Sequence, residues 1–368
     1  MAEVKPVAIG VIGCGHVTER HHLPTLMALP EARVVALADI DVERVTKLGD
    51  QFAIGKRYMN YKQLLADPEI EAVAVLVPPQ FHVPVAMDAL SAGKHLFVEK
   101  PLSNSLAGTT QLIACAQKVK VQSQLGFMLR SHRLVRKARD IVRSGDLGII
   151  ELIRTVWTGG PAHRLTKPDW LEHQKNGGGV LIESGVHHYD MWRFLLDDEV
   201  VEVSARAMHQ PVEEAAATVN GRMASGALAS SVFSRGTSDS HEIEIFGTKG
   251  RVRVSAYRVD GLEVQHLHDL SGGMKARVAR TVKSIREFPA AWRLSRSGGV
   301  FNEAYKTEWS GFLDCIRKGA DPICTLEDGR RALAVAIAAT ESDATRRPVT
   351  IDDTYFRESE AVAHLAQI

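Results

Sequence analysis

Three features of the sequence predict an α/β fold that opens on a doubly wound parallel sheet. Apolar runs of strand length alternate with helical segments through the first third of the chain. The first run ends in Gly13-Cys14-Gly15, a turn suited to the N-terminus of a phosphate-binding helix. A later run, Leu96 to Val98, stops abruptly in Glu99-Lys100-Pro101. Pro101 cannot donate to a ladder and keeps Lys100 out of the helical region, so the strand ends there. Two opposite charges at the carboxyl end of a buried strand mark either a terminal ion pair or the place where an open α/β sheet binds its ligand.

The elements follow in order. Val7 to Ile12 is apolar without a break, as a parallel strand buried on both faces must be. Gly13 permits a tight turn and Gly15 lets backbone approach a pyrophosphate at a helix N-terminus, and after Thr18 a segment to Leu29 can be helical despite Pro24. Thr18 occupies the usual third glycine position, so this motif is incomplete. Arg33 to Ala38 is the next strand, and Asp39 closes it at the distance where an acid accepts the ribose hydroxyls. With no ligand, Asp39 would simply cap the following helix. Ile40 offers neither hydroxyl nor cation to a 2′-phosphate, which favours NAD over NADP. Helices are expected over 41–51 and 61–66, then a buried strand over 71–77 stopped by Pro78-Pro79. His82 opens a helix over about 83–92, Gly93 ends it, and a further helix and strand cover 107–118 and 121–126.

Composition sets the outer bounds. At 368 residues the chain has room for two domains of ordinary size, and 45% hydrophobic with 24% charged residues is a globular balance. A net charge of +1 gives no electrostatic reason to expect nucleic acid or an anionic membrane as partner. Cys14, Cys115, Cys315 and Cys324 form no metal-binding spacing, so no metal site is expected and reduced cytoplasmic thiols are. Signal-peptide architecture is not seen at the N-terminus, and the apolar stretches are too short to span a bilayer.

Gly13-x-Gly15, Asp39, Pro78-Pro79-x-x-His82, Gly93-Lys94-His95 and Glu99-Lys100-Pro101, in that order, resemble the glucose–fructose oxidoreductase / inositol dehydrogenase (Gfo/Idh/MocA) family. The resemblance covers most of the chain. It implies a Rossmann NAD(P)-binding domain over 1–125 and an α+β domain over 126–368. The second would carry a large, mostly antiparallel open sheet that binds substrate on one face and commonly forms a homodimer or homotetramer. The nicotinamide is then expected against the strand end, with Gly13, Gly15, His16, Val17, Asp39, Pro78, His82, Glu99 and Lys100 around the cofactor. Lys100 would reach the substrate, and Lys100-Pro101 would be a cis peptide.

From Phe127 to Gly145 the spacing predicts one basic amphipathic helix, in which Arg130 is the basic residue nearest the strand end. A strand over 149–158 follows. In the segment from Val180 to Leu196, helical periodicity places Glu183, His187 and Asp190 on one stripe of a mostly apolar helix. Such a stripe is paired in the core or faces a cavity. It resembles the family's Asp-x-x-x-His motif, with glutamate at 183 in place of the usual aspartate. His188 points off the stripe and reads as structural.

The chemistry that fits these parts is oxidation of a secondary alcohol. His187 has the range for a general base, Lys100 can stabilise a developing alkoxide, and Glu183 can orient His187 or bind a neighbouring hydroxyl. Glu99 is expected to hold the Lys100 ammonium. Substrate contacts are assigned to Lys100, Arg130, Glu183 and His187, and the substrate to a sugar, cyclitol or derivative. Redox-neutral, NAD-dependent glycoside cleavage and a non-catalytic sugar or dinucleotide sensor are the alternatives. Residues 200–255 read as β-rich, and 275–296 as a basic segment that either covers the sheet or forms a lid for an anionic substrate. Helices are expected over 303–317 and 326–345.

Overall fold

The computed structural model describes residues 5–160, 178–210, 212–267 and 299–357, with residue 359 and scattered positions between 273 and 296. Among these residues two sheets form. The first joins β1 (Val7–Ile12), β2 (Ala32–Ala38), β3 (Lys56–Tyr58), β4 (Ala72–Val75), β5 (His95–Glu99) and β6 (Ser123–Gly126), all parallel, in the order β3-β2-β1-β4-β5-β6. Every residue of β1 and β4 is buried, which is why both read as unbroken apolar runs. Strand order reverses between β1 and β4, so a crevice opens beyond their carboxyl ends, beside that of β5.

Helices cover both faces of this sheet. The first begins at His16, widens into a π-turn at Thr18–His22 and continues as α1 (Leu23–Met27), so Pro24 falls in the first turn of a new helical stretch, where it is tolerated. Then come α2 (Val42–Gln51), α3 (Tyr61–Leu65), α4 (His82–Ser91) and α5 (Thr109–Lys118). Asp41, and not Asp39, caps α2 by accepting from the backbone of Glu43 and Arg44.

The single helix expected over Phe127 to Gly145 is broken. A 3-10 turn, Met128–Ser131, precedes α6 (Arg133–Ser144), and His132 caps α6 by accepting from Leu134 N at 3.3 Å. The break turns Arg130 inward, where it is buried, and leaves the other arginines on the surface of α6 or close to it.

The second sheet is mostly antiparallel. It comprises β7 (Ile150–Thr158), β8 (Val200–Met208), β9 (Ala216–Met223), β10 (Leu228–Ser234), β11 (Ser240–Gly247), β12 (Gly250–Ser255), β13 (Leu262–His266) and β14 (Val349–Thr350), ordered β13-β12-β11-β7-β10-β9-β8-β14. Only β7 and β10 run parallel. Helix α7 (Gly185–Leu196) packs on one face with α6 and α9 (Leu326–Thr345), whose N-terminus carries a Thr325–Asp328 capping box. Helix α8 (Gly299–Lys318) crosses to the first sheet, sending Trp309, Phe312 and Leu313 into one core with Val7, Ile9 and Phe97. Lys275, Arg277, Arg280, Lys283 and Arg293 of the expected lid lie outside the described residues, while Arg286 and Arg296 are exposed.

Gly13 is where the first sheet depends on a missing side chain. Its φ is +102°, and a Cβ there would collide with the Leu76 carbonyl at the end of β4. Gly13→Ala should therefore cost about 1–3 kcal/mol, read as a lower midpoint in urea unfolding, while Gly15→Ala should leave that midpoint nearly unchanged.

Candidate active site

Four strand ends and two helix starts assemble the site. The turn after β1 carries Gly13 and Gly15, and a Cβ on Gly15 would meet nothing within 4 Å, so backbone and helix start lie open to a ligand. His16 is exposed there and Val17 half-buried. Asp39, at the end of β2, accepts from Cys14 N at 2.6 Å and Asp41 N at 2.9 Å. Each of its oxygens keeps a lone pair for a ribose hydroxyl. Ile40 stands 90% exposed, presenting no donor to a 2′-phosphate. An open glycine turn beside a fixed carboxylate suits NAD.

Beyond β4, Pro78 is half-buried and leads into the short turn Pro79–Phe81. His82 is buried, with Nδ1 2.7 Å from Pro101 O and Nε2 2.7 Å from Val77 O. Burial pushes this imidazole toward its neutral form, which can donate to one carbonyl at a time. The ring thus ties the end of β4 to the turn after β5 and is placed to position them more than to touch a ligand.

At the end of β5, Lys100-Pro101 is a cis peptide. The expected contact between Glu99 and the Lys100 ammonium is not made. Glu99 Oε1 lies 3.0 Å from His22 Nε2, and Oε2 accepts from the backbone N of Lys100 at 2.8 Å. The Lys100 ammonium instead donates to Glu183 O at 3.1 Å and lies 3.5 Å from Glu183 Oε1. Two adjacent residues thus take separate tasks: Glu99 holds backbone below, and Lys100 reaches out toward the second sheet.

The expected helical stripe is also altered. Val180–Ser184 forms a π-turn, and regular helix begins only at Gly185. The wider turn sends the three side chains to different partners. Glu183 accepts from Arg235 Nη2 at 2.9 Å and Ser184 Oγ at 2.8 Å, as well as facing Lys100. His187 packs edge-on to Phe127 with ring centroids 5.6 Å apart, and its buried Nδ1 has no hydrogen-bond partner. Burial, helped by the nearby Lys100 charge, holds this imidazole well below its ordinary value, so it is neutral and able to take a proton near neutral pH.

Asp190 is buried against Arg130, which donates through Nε at 2.9 Å and Nη2 at 2.6 Å. Arg130 Nη1 also reaches Asp328 at 3.1 Å and Ile323 O at 3.2 Å. Its guanidinium is therefore committed to a bidentate pair and a helix cap, a clamp on α7 one turn beyond His187. The structure brings Lys100, Glu183 and His187 together and leaves Arg130 on this supporting network.

Family models match both halves of the chain: an oxidoreductase family, NAD-binding Rossmann fold, over 7–127, and that family's C-terminal alpha/beta domain over 139–351. The chain belongs to the Gfo/Idh/MocA oxidoreductase family. It is 28% identical over 354 residues to the myo-inositol 2-dehydrogenase of Thermotoga maritima, covering 94% of this chain and 98% of the relative. It is 29% identical over 358 residues to the scyllo-inositol 2-dehydrogenase (NAD(+)) of Bacillus subtilis, covering 94% and 96%. The scyllo-inositol dehydrogenase of Lactobacillus casei, solved with bound NAD(H) and scyllo-inositol, superposes with a TM-score of 0.78 at 21% identity, over 94% of this chain and 99% of that one. That last likeness establishes the fold.

Two residues of this oxidoreductase's candidate site carry no sequence signal. Arg235, buried just past β10, belongs to no motif and is recognised only by its contact with Glu183. Glu214 is another: it is buried at φ +50°, accepts from Leu181 N at 3.0 Å and abuts Gly179, so it braces the π-turn that carries Glu183. Among the described residues, no group of three or more His, Cys, Asp or Glu is arranged to hold a metal ion.

Burial raises the Glu214 carboxyl from 4.5 to about 7. The folded state therefore keeps a proton that the unfolded chain releases from about pH 4.5 upward, and the stability this contributes declines as pH rises toward 7. The full decline is roughly 3 kcal/mol. Glu214→Gln should flatten that part of the pH–stability curve, so that urea midpoints of variant and parent diverge in the variant's favour between pH 5 and pH 8.

Proposed function

We propose that the protein oxidises a secondary hydroxyl of a sugar, cyclitol or sugar derivative, with NAD as hydride acceptor. The observation that carries this reading is the meeting of Lys100, from the end of β5, with Glu183 and His187, from the start of α7. One cation and one neutral base, both partly exposed, thus face the crevice where the parallel sheet's strand order reverses. Bound NAD supplies the hydride acceptor. His187 accepts the proton of the substrate hydroxyl, and Lys100 donates to the oxygen as negative charge develops on it. Glu183, held by Arg235, keeps the Lys100 ammonium aimed at the crevice.

The relatives with inositol-dehydrogenase names support a polyhydroxylated ring as substrate. We also propose that residues 126–368 supply the substrate side and the contacts of a homodimer or homotetramer. Leu228 and Val232, on the outer side of β10, are 55% and 40% exposed and suit an interface. Cys14, Cys115, Cys315 and Cys324 are free, which suits a reducing, cytoplasmic location.

The deciding experiment incubates purified protein with NAD and a panel of inositols, aldoses, uronates and nucleotide sugars. NADH accumulating in solution with one substrate class establishes net oxidation. NADH retained only on the protein, with no net oxidised product, overturns it in favour of redox-neutral chemistry. On the productive substrate, Lys100→Met should lower turnover by roughly 10³-fold or more while NAD affinity stays close to that of the parent. The pH profile of kcat/KM should lose activity on its acid side only below pH 6.5, because the base is held below its ordinary value. A limb above that pH would remove His187 from the role.

A further inference from the structure

Behind the Lys100 strand end lies a buried chain of hydrogen bonds that the reaction as described does not use. Trp309 Nε1, from α8, lies 3.1 Å from His22 Nδ1. An indole nitrogen only donates, so His22 Nδ1 must accept. The proton of the neutral ring then sits on Nε2, which donates to Glu99 Oε1 at 3.0 Å. A doubly protonated ring would set two donors against each other at Trp309. The tautomer of His22 is therefore dictated by its neighbours, and its contact with Glu99 is a neutral donor on a carboxylate.

The ring cannot turn out of this arrangement. His22 is fully buried, with Phe97, Tyr305 and Trp309 packed edge-on around it at centroid distances of 5.7, 5.3 and 5.8 Å. Trp309 in turn stacks on Phe97 at 4.2 Å. Burial alone would raise the Glu99 carboxyl, but the His22 donor, the Lys100 charge and the Lys100 backbone N–H together hold it below its ordinary value. The other acid facing this cluster, Glu308, is buried, and burial pushes it well above the carboxylate range, so it adds no second charge. Glu99 thus stays ionised with both oxygens engaged, one by His22 and one by the peptide nitrogen of Lys100.

We propose that His22, held in its Nε2–H form by Trp309, is a positioning residue for Lys100, acting through Glu99. The proposal rests on the reading of Lys100 as the group that touches substrate. Its physical content is separate: the relay fixes the backbone from which the lysine side chain leaves toward Glu183. Removing the relay lets the ammonium wander from a geometry in which errors near 1 Å cost about 100-fold in rate.

The test compares His22→Ala, His22→Gln and Trp309→Phe in the full-length, NAD-loaded protein. Two readouts are taken: the rate of Lys100 acylation by acetic anhydride, followed by mass spectrometry, and kcat and KM on the productive substrate. His22→Ala should change the acylation rate severalfold and lower kcat by roughly 10- to 100-fold with KM little moved. Glutamine can accept from Trp309 and donate to Glu99, so His22→Gln should recover most of both. Trp309→Phe keeps an aromatic ring to stack on Phe97 while removing the donor and part of the ring volume, and should shift both readouts in the same direction by less. Trp309→Phe also keeps the test decisive if His22→Ala does not fold. Parent-like acylation in both His22→Ala and Trp309→Phe overturns the proposal, whatever the turnover. Altered acylation with parent-like turnover upholds the positioning and overturns the catalytic role of Lys100 instead.

Discussion

The site depends on one buried ion pair, Arg130 with Asp190. The proposed catalytic geometry spans two sheets, with the lysine on the first and the histidine on a helix of the second. A hinge between them would spread the reacting groups over several ångströms. Arg130 prevents this by leaving the parallel sheet on a 3-10 turn and gripping α7 from below with two parallel hydrogen bonds, its third nitrogen reaching the cap of α9. Arg193, one turn further along α7, makes similar contacts to Glu199 and to Asp328. Buried pairs of this kind are expensive in desolvation and contribute little net stability against an apolar alternative. What they provide is orientation, since a bidentate pair tolerates few geometries.

Electrostatics within the site follow the same division. Where a charge must be available, as on Lys100 and Glu183, the group is partly exposed and has several partners. Where a neutral group is required, burial supplies it: His187 loses its proton by desolvation, and the neighbouring Lys100 charge adds to that effect. The carboxylate beneath, Glu99, is the exception that needs explanation, because it is both buried and ionised. Two donors and a nearby cation account for it. The surroundings of each group thus decide its protonation.

How much of this could be read in the sequence varies with the range of the interaction. Strands β1, β4 and β5 were legible because burial on both faces forces an apolar run, and Glu99-Lys100-Pro101 because a charged pair before proline is a local event. The short strands β3 and β14 were missed: two or three residues carry no periodicity, and they pair only because a longer neighbour presents an edge. The break at His132 was missed because helical spacing continues through it. The partners of Lys100 and Glu99 were misassigned or unseen for a related reason. Glu183 and Lys100 are 83 residues apart, Arg235 and Glu183 are 52, and Trp309 and His22 are 287. A pattern within one window contains no trace of such pairs. The sequence nominated Lys100, Glu183 and His187, and the fold brings them together, while their hydrogen-bond partners could be seen only in the fold.

Helix α8 has a further consequence, for the order in which the chain can acquire its structure. Trp309, Phe312 and Leu313 complete the core on one face of the first sheet, yet they follow β5 by about 200 residues. At a synthesis rate of about 5–20 residues per second, that face waits on the order of 10–40 s for its cover. Through that interval Val7, Ile9 and Phe97 lack part of their final packing, and the nascent chain presents an apolar surface to other chains and to chaperones. The nucleotide-binding part is therefore first in sequence but covered only late, and a fragment ending before α8 inherits that bare face permanently.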